Sequence, residues 1–179
     1  MINSPRLKQV KTDTIVMEYT YFSETGPREN NEDSLRVVTA LECNRIFFIV
    51  CDGMGGHSCG EIASETVCKS ISTYCEKNPK LNDSEQKVYD ATMQACHRLD
   101  NQLPGSDMGT TMVLAGIEGD RAMVAHCGDS RCYIVDIKGH VKYRTIIDFS
   151  VHSVEELQDV IVHVNAIRRV DEVRRRELK

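Results

Sequence analysis

The sequence predicts an α+β fold, an antiparallel β-meander with two amphipathic helices inserted upstream of it. Three observations carry this reading. From Gly109 onward, short runs rich in β-branched residues alternate with turn signals; Arg45–Cys51 is an unbroken apolar run of strand length; and two segments between them repeat apolar residues at helical spacing. With 179 residues, 41% hydrophobic and 27% charged, the chain has the size and composition of one globular domain with its own core.

Taken in order, residues 14–21 read as a strand, followed by a polar loop, Ser23–Ser34, in which carboxylates gather around a Gly26-Pro27 turn. The apolar run Arg45–Cys51 reads as a buried strand that stops at Asp52-Gly-Met-Gly-Gly-His57. A helix is expected to start between Ser58 and Glu61, packed on one broad face in which Ile62, Thr66, Lys69/Ser70 and Thr73 mix with Ala63, Val67, Cys68, Ile71 and Tyr74. A second spans roughly Ser84–Leu103 on Val88, Thr92, Ala95, Leu99 and Leu103, with Asn82 or Asp83 as its cap and Pro104-Gly105 as its stop. Strands follow at Thr110–Ile117, Arg121–Cys127, Arg131–Ile137 and Val141–Ile146, with turns at Glu118-Gly119-Asp120 and Lys138-Gly139.

Residues 1–147 are assigned to this domain and 148–179 to a helical tail of the same domain, opening on a capping-box-like Ser153-Val-Glu-Glu and closing on a charged stretch, Asp171–Lys179. There Arg168, Arg169 and Arg174–Arg176 interleave with Asp171, Glu172 and Glu177, as on a solvated helix face. A net charge of −5 argues against general nucleic-acid binding. No segment approaches the roughly 18 apolar residues of a membrane span, and the basic start, Met1–Lys11, lacks the apolar core of a secretory signal, so a cytoplasmic location is expected. The eight cysteines are scattered, several inside apolar runs, and without a CxxC pair they read as free thiols rather than disulfides or a zinc site.

Four constellations carry chemistry. Arg28-Glu-Asn-Asn-Glu32-Asp33 is either a salt-bridged loop or a charged site. In Asp52-Gly-Met-Gly-Gly-His57, a carboxylate ends a buried strand, where it is costly unless paired or metal-bound, and Gly53 offers a carbonyl of the hard type Mg²⁺ or Mn²⁺ prefers; the other reading is a tight strand-to-helix turn. The hydroxyls of Gly109-Thr-Thr111 satisfy strand backbone or orient neighbouring carboxylates. Gly128-Asp-Ser-Arg131 is a hairpin turn, or aims Asp129 at a cation.

In order and spacing these four together resemble the type 2C family of metal-dependent serine/threonine protein phosphatases, from about Ile15 to at least Tyr143, in a form similar to its bacterial branch. The resemblance implies an antiparallel β-sandwich flanked by helices, with two Mn²⁺ or Mg²⁺ ions at one end and a more weakly held third. It implies hydrolysis of phosphoserine and phosphothreonine by water activated between the ions, without a covalent phospho-enzyme. On this chain Asp52 would bridge the ions, Glu32 and the Gly53 carbonyl would serve one, and Asp33 would hold its waters. Asp129 would serve the third ion, and Arg28 would clamp the substrate phosphate. The implied partners are phosphoproteins, opposing a serine/threonine kinase.

The sequence also departs from the pattern. Met54 stands where some members carry a candidate acid histidine, and His57 lies three residues on. Arg144-Thr-Ile-Ile-Asp148-Phe-Ser150 is similar to the family's Thr-x-Asp-His-Ser with Phe149 in place of histidine. The family's later Asp-Gly and Asp-Asn metal motifs have no counterpart: Asp52-Gly53 is the only Asp-Gly pair, and Asp100-Asn101 falls inside the second helix. The fold is therefore expected to be incomplete at its C-terminal side. The alternative is a non-catalytic pseudophosphatase or phospho-residue-binding regulator. A zinc or redox protein built on Asp52, His57 and Cys59 lacks a fourth ligand.

Overall fold

The computed structural model describes residues 7–11, 16–25, 29–54, 59–80, 85–102, 104–105, 107–146, 150–154 and 160–165. Its strands are β1 (Lys8–Lys11), β2 (Val16–Tyr19), β3 (Asp33–Ala40), β4 (Arg45–Met54), β5 (Gly109–Thr110), β6 (Met112–Glu118), β7 (Arg121–Cys127), β8 (Arg131–Asp136), β9 (Val141–Arg144), β10 (Ser150–Val154) and β11 (Val160–Asn165); its helices are α1 (Gly60–Lys77) and α2 (Glu85–Gln102). The expectations for Arg28, His57, the Asn82 or Asp83 cap, Asp148-Phe149 and the 171–179 helix lie outside the described residues.

Every described strand pair is antiparallel. The main sheet runs β10-β7-β6-β4-β3 with β5 beside the end of β4, a second sheet runs β11-β8-β9, and β1 and β2 form a hairpin. Strands β4, β6 and β7 are buried on both faces, which is why they read as continuous apolar runs instead of alternating ones. Met112 and Leu114 of β6 face a core shared with α1 and α2, whereas Val113, Ala115 and Ile117 face a second core shared with Cys132 and Ile134 of β8. Into the first core α1 inserts Ala63, Val67, Cys68, Ile71 and Cys75, and α2 inserts Val88, Ala91, Ala95 and Leu99, at the three- and four-residue spacing of one helix face. At the start of β4 the buried Arg45 ion-pairs with Glu118, its cross-strand neighbour on β6, and donates to the carbonyl of Pro79 beyond α1. These partners make a buried guanidinium tolerable.

Two expectations change. The helix expected from Ser153 is not formed: Ser150–Val154 pairs with β7 and Val160–Asn165 with β8, so the two sheets each gain an edge strand from this segment. A local Ser-x-x-Glu signal yields to non-local pairing there. β4 also runs past Cys51 through Met54, because Asp52 pairs with Asp33 while Gly53 and Met54 pair with β5.

All eight cysteines are free thiols, with Cys51, Cys68, Cys75 and Cys132 buried. Burial pushes Cys75 and Cys132 up to about 12, and a hydrogen bond with Cys68 together with burial raises Cys51. An unfolded thiol ionises near 9, so between about pH 9 and 12 the unfolded chain sheds protons that the folded chain keeps, and stability present below that window falls as pH rises. The urea midpoint should decline from pH 8.5 to 10.5, and Cys132→Val should flatten the decline.

Candidate functional site

The site is assembled where β3 begins and β4 ends. Their register sets Asp33 opposite Asp52, so two carboxylates are cross-strand neighbours on one face of the sheet, the face on which Phe48 packs against the inter-sheet core. Asp52 is only 7% exposed. Like charges directly opposite one another are destabilising unless compensated, and more so near a core.

Glu32 continues the pairing beyond the strand: its carbonyl accepts from the Gly53 N–H at 3.0 Å. The Asp33 N–H donates to Asn31 Oδ1 at 3.1 Å, and Asn31 Nδ2 donates to Ser23 Oγ at 2.6 Å, which pins the two ends of the polar loop together. Gly53 is required by crowding. A Cβ there would stand 2.0 Å from the Gly60 carbonyl oxygen and 2.8 Å from that of Glu32, so β4, the first residue of α1 and the polar loop meet backbone to backbone.

Thr111, between β5 and β6, holds Asp52 from the other side. Its Oγ1 accepts from the Asp52 N–H at 3.1 Å, and its own N–H donates to the Asp52 carbonyl at 2.9 Å. The same Oγ1 shares a hydrogen bond with Ser130 Oγ at 2.6 Å, both residues being buried. Gly128, at φ +95°, carries the β7–β8 turn so close to Thr111 that a Cβ would lie 3.0 Å from Thr111 Cγ2. The turn bearing Asp129 is thereby fastened to the backbone of Asp52, and through the Glu32–Gly53 bond all four sequence constellations become one network.

Of the expected site residues, Glu32, Asp33, Asp52 and Gly53 are brought together, Asp129 joins them through Ser130 and Thr111, and Arg28 lies outside the described residues. The donors are hard oxygens of the type Mg²⁺ and Mn²⁺ take, so the set fits a divalent ion in its chemistry. Among the described residues, no three His, Cys, Asp or Glu side chains converge closely enough to hold an ion. Sequence reasoning missed Ser130 and Gly60. The one available signal was a glycine opening a helix whose first turn has no need of it.

Thr111→Val removes the acceptor of the Asp52 N–H and the partner of Ser130, and should cost about 1–3 kcal/mol in urea unfolding, while Thr111→Ser should retain most of the stability.

A family profile described as Protein phosphatase 2C matches residues 26–164. The serine/threonine protein phosphatase PstP of Mycobacterium tuberculosis is 33% identical over 129 residues, covering 68% of this chain and 23% of the relative. The serine/threonine phosphatase stp of Listeria welshimeri is 30% identical over 115 residues, covering 60% of this chain and 45% of the relative. The structure of the serine/threonine phosphatase Stp1 from Staphylococcus aureus superposes with a TM-score of 0.56 at 28% identity, over 71% of this chain and 52% of that one. The chain spans about half or less of the length of these relatives. No described helix is long and apolar enough to cross a membrane. With its motifs in family order on paired strands and a profile match over most of its length, the chain belongs to the bacterial side of the type 2C serine/threonine protein phosphatase family.

Proposed function

We propose that this chain is a divalent-metal-dependent phosphatase acting on phosphoserine and phosphothreonine in proteins. The observation that carries the reading is the register that sets Asp33 against Asp52, with Glu32 and Gly53 hydrogen-bonded beside them. Mn²⁺ or Mg²⁺ would supply charge neutralisation and a water of lowered pKa. Asp52 would lie between two ions, Glu32 and the Gly53 carbonyl would hold one of them, Asp33 would orient water, and Asp129 would serve a weaker third position. Arg28 would clamp the phosphate oxygens, since a guanidinium meets phosphate bidentately. Met54 is 56% exposed and has no titratable proton, so a side chain at that position does not protonate the leaving alkoxide. Substrates would be cytoplasmic phosphoproteins, and the activity would oppose a serine/threonine kinase.

One observation favours a second reading, a phospho-residue binder without turnover: no three metal-ligating side chains converge among the described residues. Phosphate release from a phosphothreonine peptide separates the two. The phosphatase reading expects release that appears with Mn²⁺, disappears on chelation and falls by about 100-fold or more in Asp52→Asn and Arg28→Ala. Peptide binding that Arg28→Ala abolishes, with no Mn²⁺-dependent release, would establish the binder instead.

A further inference from the structure

Gly60 opens α1 and is buried, yet its φ is not in the left-handed region, so its backbone does not call for glycine. Alanine suits a helix better. The reason for glycine is what a side chain would strike. A Cβ on Gly60 would stand 2.7 Å from Glu32 Oε1, 2.9 Å from Glu32 Cδ and 3.2 Å from Glu32 Cγ, and these are its three nearest neighbours. The Glu32 carboxylate therefore occupies the space that any other residue at position 60 would fill.

The start of the helix also favours that seat. Cys59, the N-cap residue, makes no side-chain capping hydrogen bond, and a carboxylate beside the first turn is stabilised by the helix dipole. The contrast with Gly53 is instructive. There a Cβ would strike main-chain atoms, which cannot yield without moving β4 or α1, whereas at Gly60 its three nearest atoms all belong to the Glu32 side chain. Substitution at position 60 should leave the fold standing and displace Glu32.

We propose that Gly60 is a positioning residue for Glu32: its missing side chain seats the Glu32 carboxylate against the start of α1, in the orientation from which it binds a divalent cation. This rests on the phosphatase reading for the identity of the ligand, but the contact itself is independent of any metal. The step is purely geometric, with no covalent change.

A double-mutant cycle tests it, using the wild type, Gly60→Ala, Glu32→Ala and the double variant of the full chain. In metal-free buffer, Gly60→Ala should lower the unfolding midpoint when Glu32 is present and raise it when Glu32 is alanine. In calorimetric Mn²⁺ titrations, Gly60→Ala should weaken binding by about tenfold in the wild-type background and not at all in the Glu32→Ala background. Additive midpoint shifts in metal-free buffer would overturn the contact. A coupled midpoint with unchanged Mn²⁺ affinity in Gly60→Ala would overturn the positioning role. A wild type that binds no Mn²⁺ would instead overturn the phosphatase reading and the metal role together, with the metal-free cycle still deciding whether Gly60 seats Glu32.

Discussion

A strand buried on both faces has no place for a charge except near its ends, and β4 carries one at each. At its start Arg45 is neutralised by Glu118 and the Pro79 carbonyl. Near its other end Asp52 meets a second carboxylate, Asp33, across the ladder. The helices on one side and the second sheet on the other hold β4 between two packed cores. Asp52 is thus a carboxylate at a depth where packing alone would put an apolar residue.

What surrounds the pair is built for precision of the main chain. Asp52 is gripped through both its N–H and its carbonyl by Thr111, and Thr111 is backed by Ser130. Gly53 brings β4 against α1 with no side chain between them. Each hydrogen bond contributes only about 1 kcal/mol net, yet leaving any of these buried groups unpaired costs more than that. Such a network sets positions more than it adds stability. Fixing a carboxylate through its backbone leaves the side-chain oxygens to be oriented by whatever they bind.

Much of this was legible in the sequence. Both helices and the meander strands were found within a few residues because their apolar periodicity is local. β3 escaped because Leu35, Arg36 and Thr39 interrupt its alternation, as befits a strand at the sheet edge with only one face well covered. The 150–165 segment was misread because its pairing to β7 and β8 is non-local while its Ser-x-x-Glu signal is local. At the site, Glu32, Asp33, Asp52 and Gly53 stood out by residue type and order. Ser130 and Gly60 did not, since a buried hydroxyl partner and a missing side chain acquire meaning only when distant segments meet.

If the Asp33–Asp52 opposition seats a divalent cation, the stability of Asp52→Asn against the wild type, measured with and without Mn²⁺, reveals it. At Mn²⁺ about 100-fold above its dissociation constant the wild type should gain about 2.7 kcal/mol over its stability in a chelator, a gain that Asp52→Asn lacks. An equal gain in both proteins, or none in the wild type, would contradict this seating.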